Sequence, residues 1–318
     1  MKCGKRKATK QTDPLWQLSV KDMRDLIREN LKIAELSKQK RSQLCKLITD
    51  NKLMHNNMLS NHSNSCYIDS FLTVLFMLKN RFINSVLLRS PVIKACSEVV
   101  EKAEEVREIL KSIKQKIQTP STSSFTCRSL RSRFAEYDDL YRKCYPSRKI
   151  EEIDWKYQQY EPLDIIMLFN RMFEIPNTIG FKDRLEPFSH PTVYAGQEDT
   201  IDLKKLLSEY ASGSYFYVSV TRGYQTETSR RELKSSAHVL APLSVKLSDQ
   251  NQRIKLRAIL IHIGKQIQFG HYVALIRLRH RWVLYDDMSH GYQTLNMSTK
   301  ELLKSSYMKN GVGFIYST

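Results

Sequence analysis

Apolar residues fall along this chain in three rhythms. After Cys66, the residues Phe71, Leu72, Val74, Leu75, Phe76, Met77 and Leu78 follow almost without a break. That run is entered from the polar, turn-prone Asn61-His62-Ser63-Asn64-Ser65. It predicts a largely buried helix starting near Cys66. From Val92 to about Ile117, by contrast, Val99, Val106, Ile109, Leu110, Ile113 and Ile117 recur among charges, as on one face of a long amphipathic helix. Residues 119–132, opening with Thr119-Pro120-Ser121-Thr122-Ser123-Ser124, read as a turn-rich loop. Further on the period shortens. Tyr215–Arg222, Arg253–Arg257, Tyr272–Ile276 and Trp282–Tyr285 carry strand patterns. Helices come first and strands later, which predicts an α+β fold.

The N-terminal part is set off from this. Residues 14–52 read as a small helical unit. A first helix is capped at Ser19 and has Val20, Met23, Leu26 and Ile27 on one face; a second has Leu44, Leu47 and Ile48 inward. A basic, disordered arm over residues 1–13 precedes it. Residues 51–60 lead into a larger unit spanning 56–318.

Charge sharpens that division. The chain of 318 residues has a formal net charge of +18, and residues 1–55 alone hold 14 Lys/Arg against 6 Asp/Glu. Such a balance points to an anionic partner, and nucleic acid bound through residues 1–55 is the expectation. The six Cys (3, 45, 66, 96, 127 and 144) are scattered with no Cys-x-x-Cys pair, which argues for a reducing, intracellular setting, cytoplasmic or nuclear, and against a zinc site. No apolar run approaches a membrane span, and the opening Met1-Lys2-Cys3-Gly4-Lys5 is no signal segment. No membrane contact and no cofactor are expected; the oligomeric state stays open.

The candidate chemistry lies in two distant stretches. Cys66 sits where a helix begins, facing unpaired N–H groups and the positive end of the dipole, a setting expected to favour the thiolate. A nucleophilic Cys needs a base, and the base needs a group to hold its tautomer. Downstream, His262, Gly270-His271-Tyr272-Val273-Ala274 and Trp282-Val283-Leu284-Tyr285-Asp286-Asp287 offer both on successive strands. Taken one at a time, Cys66 is as compatible with a capping core thiol, and Asp286-Asp287 with a turn.

Together the two stretches resemble the Cys box and His box of the ubiquitin-specific proteases, papain-like thiol proteases. Asn64-Ser65-Cys66-Tyr67-Ile68-Asp69-Ser70 is closest to the cylindromatosis-type branch, and Gly270-His271-Tyr272-x-Ala274 with Trp282-x-x-Tyr285-Asp286-Asp287 follows the His box almost letter for letter. The resemblance implies a fingers–palm–thumb architecture with small fingers: thumb over about 56–180, fingers and palm over about 181–318. It implies Cys66 as nucleophile, His271 as base, Asp286 as its orienting carboxylate and Asn61 as an oxyanion donor. Gly270, Tyr272, Asp287, Glu161 and Asp164 are the implied substrate contacts, and ubiquitin or ubiquitinated proteins the partners. The family's four-Cys zinc ribbon has no counterpart. Met58 and Ser63 stand where the family has Gly, so the loop before Cys66 is expected to be built differently. Residues 14–52 loosely resemble SAP-like or rho-N-like nucleic-acid modules. Two alternatives follow: a catalytically inactive ubiquitin-binding relative, or a nucleic-acid-binding protein in which the protease is secondary. The low-identity match and compact fingers fit a divergent lineage, a viral one included.

Overall fold

The computed structural model describes residues 64–78, 96–118, 124–147, 153–155, 160–173, 191–209, 215–224, 233–247, 253–266, 269–278, 281–288 and 292–318. It also describes 58–59, 88 and scattered positions between 20 and 44. The predicted arm 1–13, nearly all of the 14–52 unit, most of the 51–60 linker, and Asn61 lie outside the described residues.

A short strand β1 (Met58–Leu59) leads towards helix α1 (Cys66–Met77). Every residue of α1 from Cys66 to Phe76 is buried, as its unbroken apolar run requires. Helix α2 (Ser97–Gln118) shows the expected amphipathic face, with Val99, Val106, Leu110, Ile113 and Ile117 inward. Of the span 119–132 read as a turn-rich loop, residues 119–123 lie outside the described residues, and the rest departs from that reading. After β2 (Ser124–Phe125), which pairs in parallel with β1, helix α3 already runs from Arg128 to Cys144. Leu130, Phe134, Tyr137 and Tyr141 line its buried face, and this packing overrides the poor helix propensity of the Ser-rich lead-in. Helix α4 (Pro162–Phe173) buries Ile165, Ile166, Phe169, Met172 and Phe173. Phe71 of α1 meets the Phe169 ring at 6.5 Å.

The second half is mostly strand. It runs β3 (Thr192–Tyr194), β4 (Thr200–Asp202), α5 (Leu203–Glu209), β5 (Tyr215–Thr221), β6 (Gly223–Tyr224), β7 (Leu233–Lys234), β8 (His238–Leu240) and β9 (Ser244–Lys246). Then come β10 (Arg253–Ile263), β11 (His271–Leu278), β12 (Arg281–Tyr285), β13 (Gln293–Thr294), α6 (Thr299–Lys304), α7 (Tyr307–Asn310) and β14 (Gly311–Ser317). Eight strands form one sheet in the order β13-β12-β11-β10-β14-β5-β3, with β9 added to β10. The last strand, β14, is inserted between β10 and β5, antiparallel to both. β4–β8 and β6–β7 form small two-stranded pairs beside it.

Strand alternation divides the sheet's side chains between two cores. Tyr215, Tyr217, Tyr272, Ala274 and Ile276 face α1 to α4. Phe216, Val218, Val220, Val273 and Leu275 face the opposite side, with Leu203, Leu207, Leu302 and Met308 from the short helices. In β10 the register shifts between Leu256 and Ala258, so Leu256 and Ile259 share one face despite their odd spacing. Arg222, at the end of β5, is fully buried. Arg222 donates to the carbonyls of Gly311 (2.8 Å), Ala237 (2.9 Å), Met308 (3.0 Å) and Ser235 (3.2 Å), tying the end of β5 to the start of β14.

Candidate active site

Cys66 opens α1 because the chain just before it turns sharply. Asn64 is the one non-glycine with positive φ among the described residues (+62°), a left-handed conformation that Asn tolerates better than most side chains. Ser65 does not cap the helix; its Oγ donates to Asp69 Oδ2 instead. α1 is then docked on β11. Ser70 Oγ donates to the Tyr272 carbonyl at 3.0 Å, and the backbone N–H of Tyr272 faces the Cys66 sulphur. The nucleophile candidate is thereby held against the residue that follows His271.

His271 begins β11, and Asp286 follows the end of β12, the next strand of the sheet. His271 Nε2 lies 2.7 Å from Asp286 Oδ1, and that oxygen also accepts the Met288 N–H at 3.0 Å. With Nε2 turned to the carboxylate, Nδ1 is the ring nitrogen left to receive a proton. Cys66, His271 and Asp286 are thus brought to one end of the sheet. Asn61 lies outside the described residues.

The expected easy ionisation of Cys66 is not what this setting gives. Burial pushes its thiol up to about 12, and the Asp287 and Asp69 carboxylates add to the rise. The N–H groups of Tyr272 and Tyr67 pull the other way and lose. A helix terminus offers about half a unit charge, too little against desolvation and two carboxylates. The free protein therefore holds Cys66 as a thiol.

Two further residues correct the sequence reading. Asp287 was expected at the substrate, yet its side chain is buried, with Oδ1 3.4 Å from His271 Nε2. It faces Asp69 of α1, also fully buried. Two carboxylates this close cannot both ionise cheaply, so the pair retains a proton as a hydrogen bond between them. Burial and the Asp69 charge raise Asp287, while burial raises Asp69 against hydrogen bonds from Ser65, Cys127 and Asp287. Tyr272 is likewise no surface contact: its ring is buried between His262 (4.8 Å) and Tyr67 (6.4 Å), so only its backbone serves the site.

Gly270 is exposed beside the base, and a Cβ there would sit 2.3 Å from His262 Nε2. The close packing of the His262 ring thus accounts for glycine at this position. Burial, with Lys234 and His271 nearby, lowers His262 to about 4 and keeps it neutral. Lys234 Nζ fastens the turn by donating to the carbonyls of His262 (2.6 Å) and Gly264 (2.9 Å). Asp164 caps α4 by accepting the Glu161 N–H at 2.9 Å; both residues are half-buried at that helix start. Sequence reasoning passed over Asp69, Ser70 and Lys234 as participants. Only the position of Asp69 and Ser70 one turn after Cys66, on its side of the helix, was there to be read.

Among the described residues, His271, Asp286 and Asp287 also bring donor atoms within 4.8 Å of one another, as a metal ion would need. In the present arrangement those donors are engaged with each other and with Asp69. No helix among the described residues is long and apolar enough to cross a membrane.

Residues 191–308 match the family model described as ubiquitin carboxyl-terminal hydrolase. The match includes His271 and Asp286, and it supports a relationship to the ubiquitin-specific proteases and to papain-like cysteine protease chemistry. Cys66 lies outside the matched segment; the fold itself carries it to β11. Compared with curated proteins, the chain matches none.

Proposed function

We propose that this protein is a thiol-dependent deubiquitinase. It would hydrolyse the thioester, peptide or isopeptide bond at the C-terminus of ubiquitin or a ubiquitin-like modifier. The observation that carries the reading is the junction of α1 and β11, which sets the Cys66 sulphur against Tyr272 N–H beside a His271 already oriented by Asp286. Cys66 is a thiol at rest, so its proton passes to His271 as the sulphur attacks the carbonyl carbon. The imidazolium, stabilised by Asp286, then protonates the leaving lysine amine. Water hydrolyses the thioester with His271 as base. The backbone N–H at Cys66 and the side chain of Asn61 are our candidates for the oxyanion donors; losing one such donor costs ~3 kcal/mol in serine proteases. We also assign the thumb to about 56–180 and the small fingers and palm to about 181–318, and an anionic partner, nucleic acid, to the basic residues 1–55. Salt-dependent RNA or DNA affinity lost on deleting 1–55 would support that last assignment.

The test is labelling with ubiquitin bearing a C-terminal electrophile, beside probes built on related modifiers. An adduct on Cys66, absent in Cys66→Ala and slowed in His271→Ala, is expected. Folded wild-type protein that takes up none of the probes would sink the reading.

A further inference from the structure

Away from the catalytic centre, two other cysteines stand against each other. Cys96 immediately precedes α2, and its sulphur faces the N–H groups of Glu98 and Val99, the second and third residues of the helix. It is the helix cap, with sulphur in the place of the usual oxygen. Cys144 is the last residue of α3. The two helices run antiparallel, bridged by Lys102–Glu136 at 2.9 Å and Arg133–Glu105 at 3.1 Å. The same register brings 96 opposite 144, where the thiols are hydrogen-bonded to each other. A second tie holds this junction: the Cys96 N–H donates to Tyr145 Oη at 3.3 Å, and the Tyr145 ring packs on Tyr141 at 4.7 Å. Both thiols are part-exposed, whereas Cys66 and Cys127 are buried.

Their mutual hydrogen bond makes the two sulphurs unequal, and the start of α2 adds to the difference. Cys96 takes a hydrogen bond from Cys144 and others from the N–H groups at the positive end of α2, and its pKa is lowered. Cys144 lies at a negative end, where the donated hydrogen bond and the neighbouring sulphur hold it as a thiol.

We propose that Cys96 and Cys144 form a peroxide-responsive dithiol, Cys96 attacking and Cys144 resolving, whose disulfide staples the N-terminus of α2 to the C-terminus of α3. In the first step the Cys96 thiolate attacks one peroxide oxygen. The S–O bond forms, the O–O bond breaks, and hydroxide leaves and takes a proton from solvent. Cys96 becomes a sulfenic acid, oxidised by the two electrons that reduce the peroxide. In the second step Cys144 sulphur attacks Cys96 sulphur. The S–S bond forms, the S–O bond breaks, and the departing hydroxide carries off the Cys144 proton as water. A thiol reductant reverses the change. The Cys66 thiol, buried and protonated, is spared in the free protein.

The experiment treats the full chain with hydrogen peroxide, blocks free thiols, digests without reductant and maps peptides by mass spectrometry. No modifier or turnover assay enters, so the result stands apart from the deubiquitinase reading. A linked Cys96–Cys144 peptide pair, released by dithiothreitol, is expected, with a melting temperature raised by several degrees in the oxidised protein. In Cys144→Ser, dimedone should mark Cys96; in Cys96→Ser it should leave Cys144 unmarked. Two thiols that both remain blockable after peroxide, or cross-links to other cysteines instead, overturn the proposal. Equal dimedone labelling of the two single variants overturns the assignment of roles.

Discussion

Cys66 and Cys96 both stand at the start of a long helix, and the structure treats them in opposite ways. Cys96 is part-exposed, its sulphur capped by N–H groups, and it ionises more readily than an ordinary thiol. Cys66 is sealed beneath β11 beside Asp69 and Asp287 and ionises with difficulty. The helix dipole is common to both; burial and neighbouring charge decide the outcome. The sulphur best placed for acyl transfer is therefore the less reactive one at rest. A thiol that ionises only when a bound carbonyl and His271 are in place reacts with few wrong partners.

The strongest way to break the comparison is to remove what makes Cys66 different. Asp286→Asn should keep the fold and lower turnover of a ubiquitin amide substrate by roughly 10²–10⁴-fold, because the imidazole loses its fixed tautomer and its counter-charge. Cys96→Ser should leave the same rate unchanged. Equal losses in the two variants would erase the distinction.

Next comes the cost of burial behind the base. His262 is held neutral in the fold at about 4, against about 6.5 unfolded, so between those values the unfolded chain binds more protons. Stability contributed by neutral His262 is fully present above about pH 6.5 and is lost as pH falls towards 4, up to roughly 3 kcal/mol. Denaturant midpoints measured from pH 7.5 to 4.5 should show this fall, and His262→Gln should flatten it. An unchanged slope in the variant would contradict the assignment.

A smaller effect is the order of attack by a small electrophile. Iodoacetamide at pH 8, followed by peptide mapping, should modify Cys96 faster than Cys66 by roughly tenfold or more, since the thiolate is the reacting form. The ubiquitin probe should reverse the preference.

The finest adjustment concerns Asp69. Above the pH at which the Asp69–Asp287 pair gives up its shared proton, the pair carries two negative charges beside Cys66. Asp69→Asn leaves one. The alkaline rise of Cys66 alkylation should then move to lower pH, with a gain of several-fold near pH 9. Movement in the other direction would mean that Asp69 is not the charge felt by the sulphur.

What could be read from the sequence follows from how local each cause is. The α1 start at Cys66, the β10 to β12 strands and the pairing of His271 with Asp286 were legible, because an apolar run, a two-residue alternation and a four-residue spacing from Trp282 are local patterns. Helix α3 was missed although Leu130, Phe134, Tyr137 and Tyr141 recur at helical spacing; the Ser/Thr-rich lead-in masked them. The Cys66 thiol was misjudged because its N-terminal position is local, whereas Asp287 reaches it only through the tertiary fold. The burial of the Tyr272 ring, the Asp69–Asp287 contact and the His262 ring behind Gly270 are also products of strand pairing. Asp69 and Asp287 lie more than two hundred residues apart, and even the nearby His262, Gly270 and Tyr272 meet only through the pairing of β10 with β11.

The place of β14 in the sheet sets a clock for biosynthesis. A chain paused on the ribosome before Gly311 already carries Cys66, His271 and Asp286. It lacks the strand that pairs with both β10 and β5, and it lacks the Gly311 carbonyl that Arg222 holds. The long-range pairings that β14 makes with β10 and β5 must wait for that strand to emerge. On the proposed function, such a nascent chain would hold its reacting groups without the sheet that brings them together until residues 311–317 have slotted between β10 and β5.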